Sequence, residues 1–151
     1  MVRKIWLVLI VFALAGCATA QIPAYLHKKF PYTHRFYADY DKALTSLEQT
    51  LADLGWVIEK KTDPTVYEEG TAGAPGTQNI LLITKVRQTA LLIGSRYAKM
   101  NIFLNSTDGV SEIELRYVTV TSLPFKNFVS YKNDSAAERF FGRFDQVLDN
   151  Q

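Results

Sequence analysis

Apolar positions along this chain first run without interruption and then recur with two different periods. Ile5 to Leu14 is a continuous apolar stretch directly behind Arg3 and Lys4. Further on, Tyr40, Leu44, Leu47, Leu51 and Leu54 recur at three- and four-residue intervals, the spacing of one helical face. Asp39 stands at the N-cap position and Gly55 at the stop, so the pattern predicts a helix over 40–54. A short strand is predicted over 34–37, and another over 56–61 that ends at Asp63-Pro64. Residues 79–87, with Ile80, Leu81, Leu82, Ile83 and Val86, read as a further strand. Strict alternation follows in 97–106 and 110–121, joined at Asp108-Gly109, a turn pair typical of hairpins. Met100, Ile102 and Leu104 point inward on the first of these strands, and Ile113, Leu115 and Tyr117 on the second. Glu112, Glu114 and Arg116 take the alternate positions, so that face is expected to be partly wet. Residues 126–132 read as an aromatic-rich connector. Ser135-Ala136-Ala137-Glu138 has the form of a capping box, and Ala137, Phe140, Phe141, Phe144, Val147 and Leu148 form a last helical face.

The order is strand, helix, several antiparallel strands, helix. Each helix has a single apolar face, and the sheet offers a matching one. The expected fold is therefore α+β: a two-layer sandwich of an antiparallel sheet with two helices packed on one face. Residues 1–16 read as a signal segment, 17–33 as a tether containing Pro23 and Pro31, and 34–151 as a single domain. The tether is expected to be partly ordered; the alternative places its Tyr25, Leu26, Phe30 and Tyr32, with Lys28 and Lys29, on the domain or at the lipid headgroups.

The N-terminal run is too short for a membrane-spanning helix, which needs about 20 apolar residues. A positive start, an apolar core and the small residues Ala15 and Gly16 follow the logic of an export signal. Leu14-Ala15-Gly16-Cys17 resembles the bacterial lipobox. The resemblance implies cleavage before Cys17, acyl chains on that cysteine, and a membrane as partner through it. Cys17 is the one cysteine in the sequence, so no intramolecular disulfide competes for it. The chain is thus similar to small envelope lipoproteins of Gram-negative bacteria. In that family Ala18 in place of Asp implies the outer membrane, facing the periplasm. Asp39-Tyr40-Asp41 before the first helix and Gly55-Trp56 after it resemble, as a pattern over 34–149, the helix-grip domains of the C lipoprotein of the β-barrel assembly machinery.

Charge changes the picture once the signal is removed. The whole chain has 17 basic and 15 acidic side chains, but Arg3 and Lys4 leave with the signal, so the remaining 135 residues balance. No basic stripe marks a nucleic-acid surface. The chemistry-bearing candidates are sparse. Gly70-x-x-Gly73-x-x-Gly76 lacks the Gly-Lys-Ser/Thr ending of a phosphate loop and reads as a flexible turn. His27 and His34 stand without HExxH or a cysteine ligand, so no metal and no cofactor is expected. Asp39 and Asp41 fit capping and dipole complementation. Ser122 and Ser130 lack a Gly-x-Ser-x-Gly context.

Two apolar segments remain. Ala90-Leu91-Leu92-Ile93 reads preferentially as a core strand, and otherwise as an exposed contact for a partner or membrane. Leu123-Pro124-Phe125 with Phe128 and Tyr131 reads as packing at the start of the last helix, or as a cleft lining. Leu91, Leu92, Ile93, Phe125, Phe128 and Tyr131 are therefore the candidate contact residues. The expected function is non-enzymatic: a lipid-anchored domain that binds a protein or envelope component. The alternative is a carrier of a small apolar ligand or lipid in a helix–sheet pocket.

Overall fold

The computed structural model describes residues 20–69 and 76–151. The signal segment, the lipobox with Cys17, and Gly70 and Gly73 of the glycine triplet lie outside the described residues. Among the described residues an antiparallel sheet of seven strands and two helices make an α+β fold.

The spine is one long hairpin, β5 (Ser95–Thr107) and β6 (Val110–Leu123), in register along its whole length. Its turn uses positive φ at both Asp108 (51°) and Gly109 (79°), the primed geometry that matches strand twist. Near that turn the spine is flanked by β1 (Tyr32–Tyr37) on β6 and by β3 (Gln78–Thr84) on β5, with β2 (Ile58–Thr62) outside β3. At the opposite end it is flanked by β4 (Arg87–Ala90) on β5 and β7 (Lys126–Ser130) on β6. The predicted 79–87 strand therefore stops at Thr84, and the chain re-enters the sheet at Arg87. The predicted 126–132 connector is largely a strand, since Lys126–Leu123 and its neighbours complete a second hairpin.

Helix α1 (Tyr40–Asp53) is capped by Asp39, whose Oδ1 accepts from the Lys42 N–H at 2.8 Å. Helix α2 (Asp134–Asp149) is capped not by Ser135 but by Asn133, whose Oδ1 accepts from the Ala136 N–H at 3.0 Å. Either residue type suits an N-cap. Asn133 takes the role because Tyr32 Oη accepts from the Asn133 N–H at 2.8 Å and donates to Asp134, fixing the helix start against β1. Ala43, Leu47 and Leu51 of α1 and Phe140, Phe144 and Leu148 of α2 share one core with Leu82, Met100, Ile102, Leu104, Ile113 and Leu115. The inward set expected from alternation is thus the core set. Arg143 joins the helices, with Nη2 and Nε 2.6 and 2.9 Å from Asp53 Oδ2.

The alternate sheet positions are wet in part, as expected: Arg35, Asn105 and Glu112 reach solvent near the Asp108 turn, but the rest of that face is covered. Leu81, Ile83, Phe103, Val118 and Val120 are buried, and Arg116 is only 3% exposed. What covers them is the segment that precedes β1: Tyr25 packs with Leu81, Ile83 and Phe103, and Leu26 with Val118 and Val120. The expected wet face thus holds near the Asp108 turn but not at Arg116, because alternation reveals a sheet's two faces but not what lies on each.

The turn between β4 and β5 closes with Leu91 N–H donating to Gly94 O at 3.1 Å. Gly94 has φ +101°, and a Cβ there would stand 2.1 Å from Ser122 O. Gly94→Ala thus combines a disfavoured φ with a backbone collision. It should lower stability by about 2 kcal/mol or more, read as a reduced urea midpoint. An unchanged midpoint would contradict the close approach of this turn to β6.

Candidate functional site

The candidate contact residues gather at one end of the sheet, but as surface rather than core. Leu92 and Ile93 form the tip of the β4–β5 turn and are exposed, against the preferred reading of a core strand. The physical reason is Gly94: its left-handed φ reverses the chain directly after Ile93. Phe125 sits exposed in the β6–β7 turn, and Phe128 projects from β7, half exposed. Neither packs under the start of α2 as favoured. Tyr131 is partly buried beside Ile22, Tyr97, Val118 and Val120, and Leu91 is partly buried.

Next to this end lies the cleft with the most distinct chemistry, about 370 Å³. It opens where α1 ends, α2 begins and the sheet runs on past both. Trp56 is buried at its base, edge-on to Tyr117 at 6.2 Å between ring centroids. Arg87 lies over the Trp56 ring at 4.7 Å, and its Nη1 donates to Leu54 O at 3.0 Å. Arg96 pairs across from Thr89 on β4, and Arg139 comes from the second turn of α2. Asn133, Ser135 and Ala136 add the N-terminal turn of α2, the positive end of its dipole. Among the described residues no Asp, Glu, His or Cys lines the cleft. Three guanidiniums, an aromatic floor and a helix N-terminus make a place for an anionic group, a carboxylate or phosphate, beside a flat apolar surface. Sequence reasoning missed this set: Trp56 reads as a strand residue, and the three arginines lie in separate segments with no motif linking them.

A second polar cluster on the other face has a structural part. Arg116 Nη1 donates to Glu68 Oε1 at 2.6 Å, to Tyr25 Oη at 2.8 Å and to Leu26 O at 3.1 Å. Its Nε donates to Glu114 at 2.7 Å, and its plane lies 4.0 Å above the Phe103 ring. Asn101, oriented to satisfy both ends of its amide, accepts from the Leu26 N–H at 2.9 Å. Both peptide groups of Leu26 are thereby held by buried polar side chains. Burial alone would lower the Arg116 pKa, but the carboxylates of Glu68 and Glu114 more than reverse this, so it stays a cation. Burial, then the bond to Glu68, raises the Tyr25 hydroxyl pKa, and it stays neutral. The hydrogen bond from Arg116 lowers the Glu68 pKa against its burial. Burying Leu26 contributes about 1.5–3 kcal/mol. That offsets the ordering of only one or two residues at about 1–2 kcal/mol each, so the strap over 20–31 also needs Tyr25, Ile22 and these bonds.

His34 Nε2 stands 2.9 Å from Asp145 Oδ1, tying β1 to α2. His27 lies edge-on to Tyr25. Among the described residues no group of three or more His, Cys, Asp or Glu is placed to hold a metal, and no helix is long and apolar enough to cross a membrane. Compared with known proteins, the chain matches no family model and no curated protein sequence.

Removing Arg116 leaves two partly buried carboxylates and the Leu26 carbonyl without their donor. Arg116→Ala should cost about 3–5 kcal/mol in chemical denaturation. Because the folded-state pKa of Glu68 lies below its ordinary 4.5, its contribution is complete above pH 4.5 and lost as pH falls through the lower folded value. Glu68→Gln should therefore reduce stability at neutral pH and flatten the acid limb of the stability profile. A parallel acid limb in the variant would contradict this assignment.

Proposed function

We propose that this chain is a lipid-anchored lipoprotein of the cell envelope, on the periplasmic side of the outer membrane. Its non-enzymatic domain binds an anionic group of a protein or envelope component in the arginine cleft. The anchor is Cys17 of Leu14-Ala15-Gly16-Cys17. One acyl chain holds a protein only marginally and reversibly, whereas two or three make attachment effectively permanent. We read the domain as two layers, with α1 and α2 on the same side of the sheet.

The observation that carries the binding role is that Arg87, Arg96 and Arg139 line one cleft with Trp56, where no carboxylate, imidazole or thiol stands among the described residues. Such a lining favours holding an anion over moving its protons. The same lining weighs against an apolar-ligand carrier. Of the aromatic side chains read as a possible cleft lining, Phe125 and Phe128 stand exposed at the surface, while Phe140 and Phe144 of α2 are fully buried core side chains.

Two measurements test the reading. Intact mass and fractionation of membrane-extracted protein should show a chain beginning at Cys17 with added acyl mass. In Cys17→Ser both the acyl mass and the membrane retention should disappear, and an unmodified soluble wild-type product would overturn the anchor. For the cleft, Trp56 is a built-in reporter, since the other tryptophan, Trp6, lies in the signal segment. Titrating mature protein with inorganic pyrophosphate should give a saturable change in tryptophan emission. Arg96→Glu should weaken it at least tenfold, about 1.4 kcal/mol, with the thermal midpoint kept. Identical titrations in both proteins would place the anion elsewhere.

A further inference from the structure

The strap over 20–31 does more than cover the sheet: it decides which end of the domain lies nearest Cys17. Ala20 and Ile22, like Tyr97 and Tyr131, pack against the buried cluster of Leu26, Val118 and Val120, toward the end of the sheet built by β4 and β7. Ala20 is three residues after Cys17. Three residues reach at most about 11 Å even when fully extended. That end also carries the exposed large apolar side chains Leu92, Ile93 (62% exposed) and Phe125 (82% exposed). The two turns that bear them touch, since Gly94 abuts Ser122 O and Leu123 Cα.

The charge there is mostly basic, with the Asp134 carboxylate 3.5 Å from Lys132 at its border. Residues 85–98 and 119–133 include Lys85, Arg87, Arg96, Lys126 and Lys132 but no Asp or Glu. Lys126 lies over the Phe128 ring at 4.9 Å and Lys29 over the Tyr131 ring at 4.5 Å, pairing apolar bodies with cationic tips. The spine's other turn, at Asp108-Gly109, carries a carboxylate and no large apolar side chain.

From this we infer that the paired β4–β5 and β6–β7 turns form a membrane-docking surface, seating Leu92, Ile93 and Phe125 in the headgroup region of the bilayer that holds Cys17. Anionic lipid headgroups meet the surrounding lysines and arginines. The inference rests on the acylated-Cys17 reading. A short leash fixes which membrane is in reach and which end faces it, and the apolar-plus-basic composition matches an interface of that kind. A dry protein partner would want carboxylates or hydrogen-bonding groups opposite the same lysines, whereas the bilayer supplies both counter-charge and apolar depth without further specification.

The test uses mature full-length protein in vesicles of phosphatidylethanolamine and phosphatidylglycerol. Leu92→Cys, Phe125→Cys and Asp108→Cys are each labelled with a polarity-sensitive thiol dye, and spin-labelled lipids are added as quenchers. The expected result is blue-shifted emission at positions 92 and 125 with at least twofold stronger lipid quenching than at 108. Equal, weak quenching at all three positions would overturn the docking surface. So would protection of 92 and 125 from a water-soluble quencher without lipid quenching, which signals a protein neighbour or a second copy. All three sites are exposed, and unchanged melting curves confirm that the variants fold. Intact mass of the same samples reports the acyl chains on Cys17 separately. Full acylation with no lipid quenching sinks this inference alone, whereas an unacylated chain that still quenches at 92 and 125 keeps the surface and removes the anchor.

Discussion

A buried guanidinium with no water to solvate it must be surrounded by acceptors, and Arg116 meets that demand by drawing the chain before β1 onto the sheet. Its acceptors come from three places: Glu114 on its own strand, Glu68 beyond β2, and Tyr25 and Leu26 on the strap. None of these segments adjoins another in sequence. The cation holds them together because separating any one from it leaves a charge or a carbonyl unpaired in a medium of low dielectric. The apolar partners alone would specify this arrangement weakly, since Leu26 and Tyr25 could slide over a surface of valines and phenylalanine. Hydrogen bonds at both peptide groups of Leu26 fix its register.

The rest of the architecture follows from that register and from the length of the β5–β6 hairpin. At the Asp108 end the hairpin is widened by β1, β3 and β2; at the other end β4 and β7 prolong the sheet as two short hairpins. The arginine cleft lies where the sheet runs on past the ends of both helices, and the exposed turns lie just beyond it. The strap runs along the opposite face to the same end. The sheet thereby has one end with a short turn and a carboxylate, and another with apolar tips, basic side chains and the packing site of Ala20, the first described residue.

The elements legible in the sequence were those in which one period dominates. Leucine spacing over 40–54 and alternation over 97–121 needed no tertiary information, because each describes a face that must be buried somewhere. Asp39 and Asp108-Gly109 carried local chemistry of their own. What was not legible depended on what lies across the fold. Arg116 alternates with Leu115 and Tyr117 and reads as a solvated position, although it is the polar centre of the second face. Leu91-Leu92-Ile93 reads as core by composition, and one positive φ at Gly94 turns it into a tip. Ser135 has the better capping-box pattern, yet Asn133 caps because Tyr32 from β1 holds it in place. The cleft was invisible for the same reason: Trp56, Arg87, Arg96 and Arg139 come from four segments that only the sheet brings together.

Residues 20–31, ahead of β1, form a folded strap and not a free leash, so that the chain enters the sheet at a fixed place. Native-state hydrogen exchange tests this through one amide. The Leu26 N–H, accepted by Asn101, should exchange as slowly as the amides of Ile102 and Leu115 in the spine. Exchange at the rate of an exposed peptide, with the spine still protected, would show a leash free of the sheet and contradict the account.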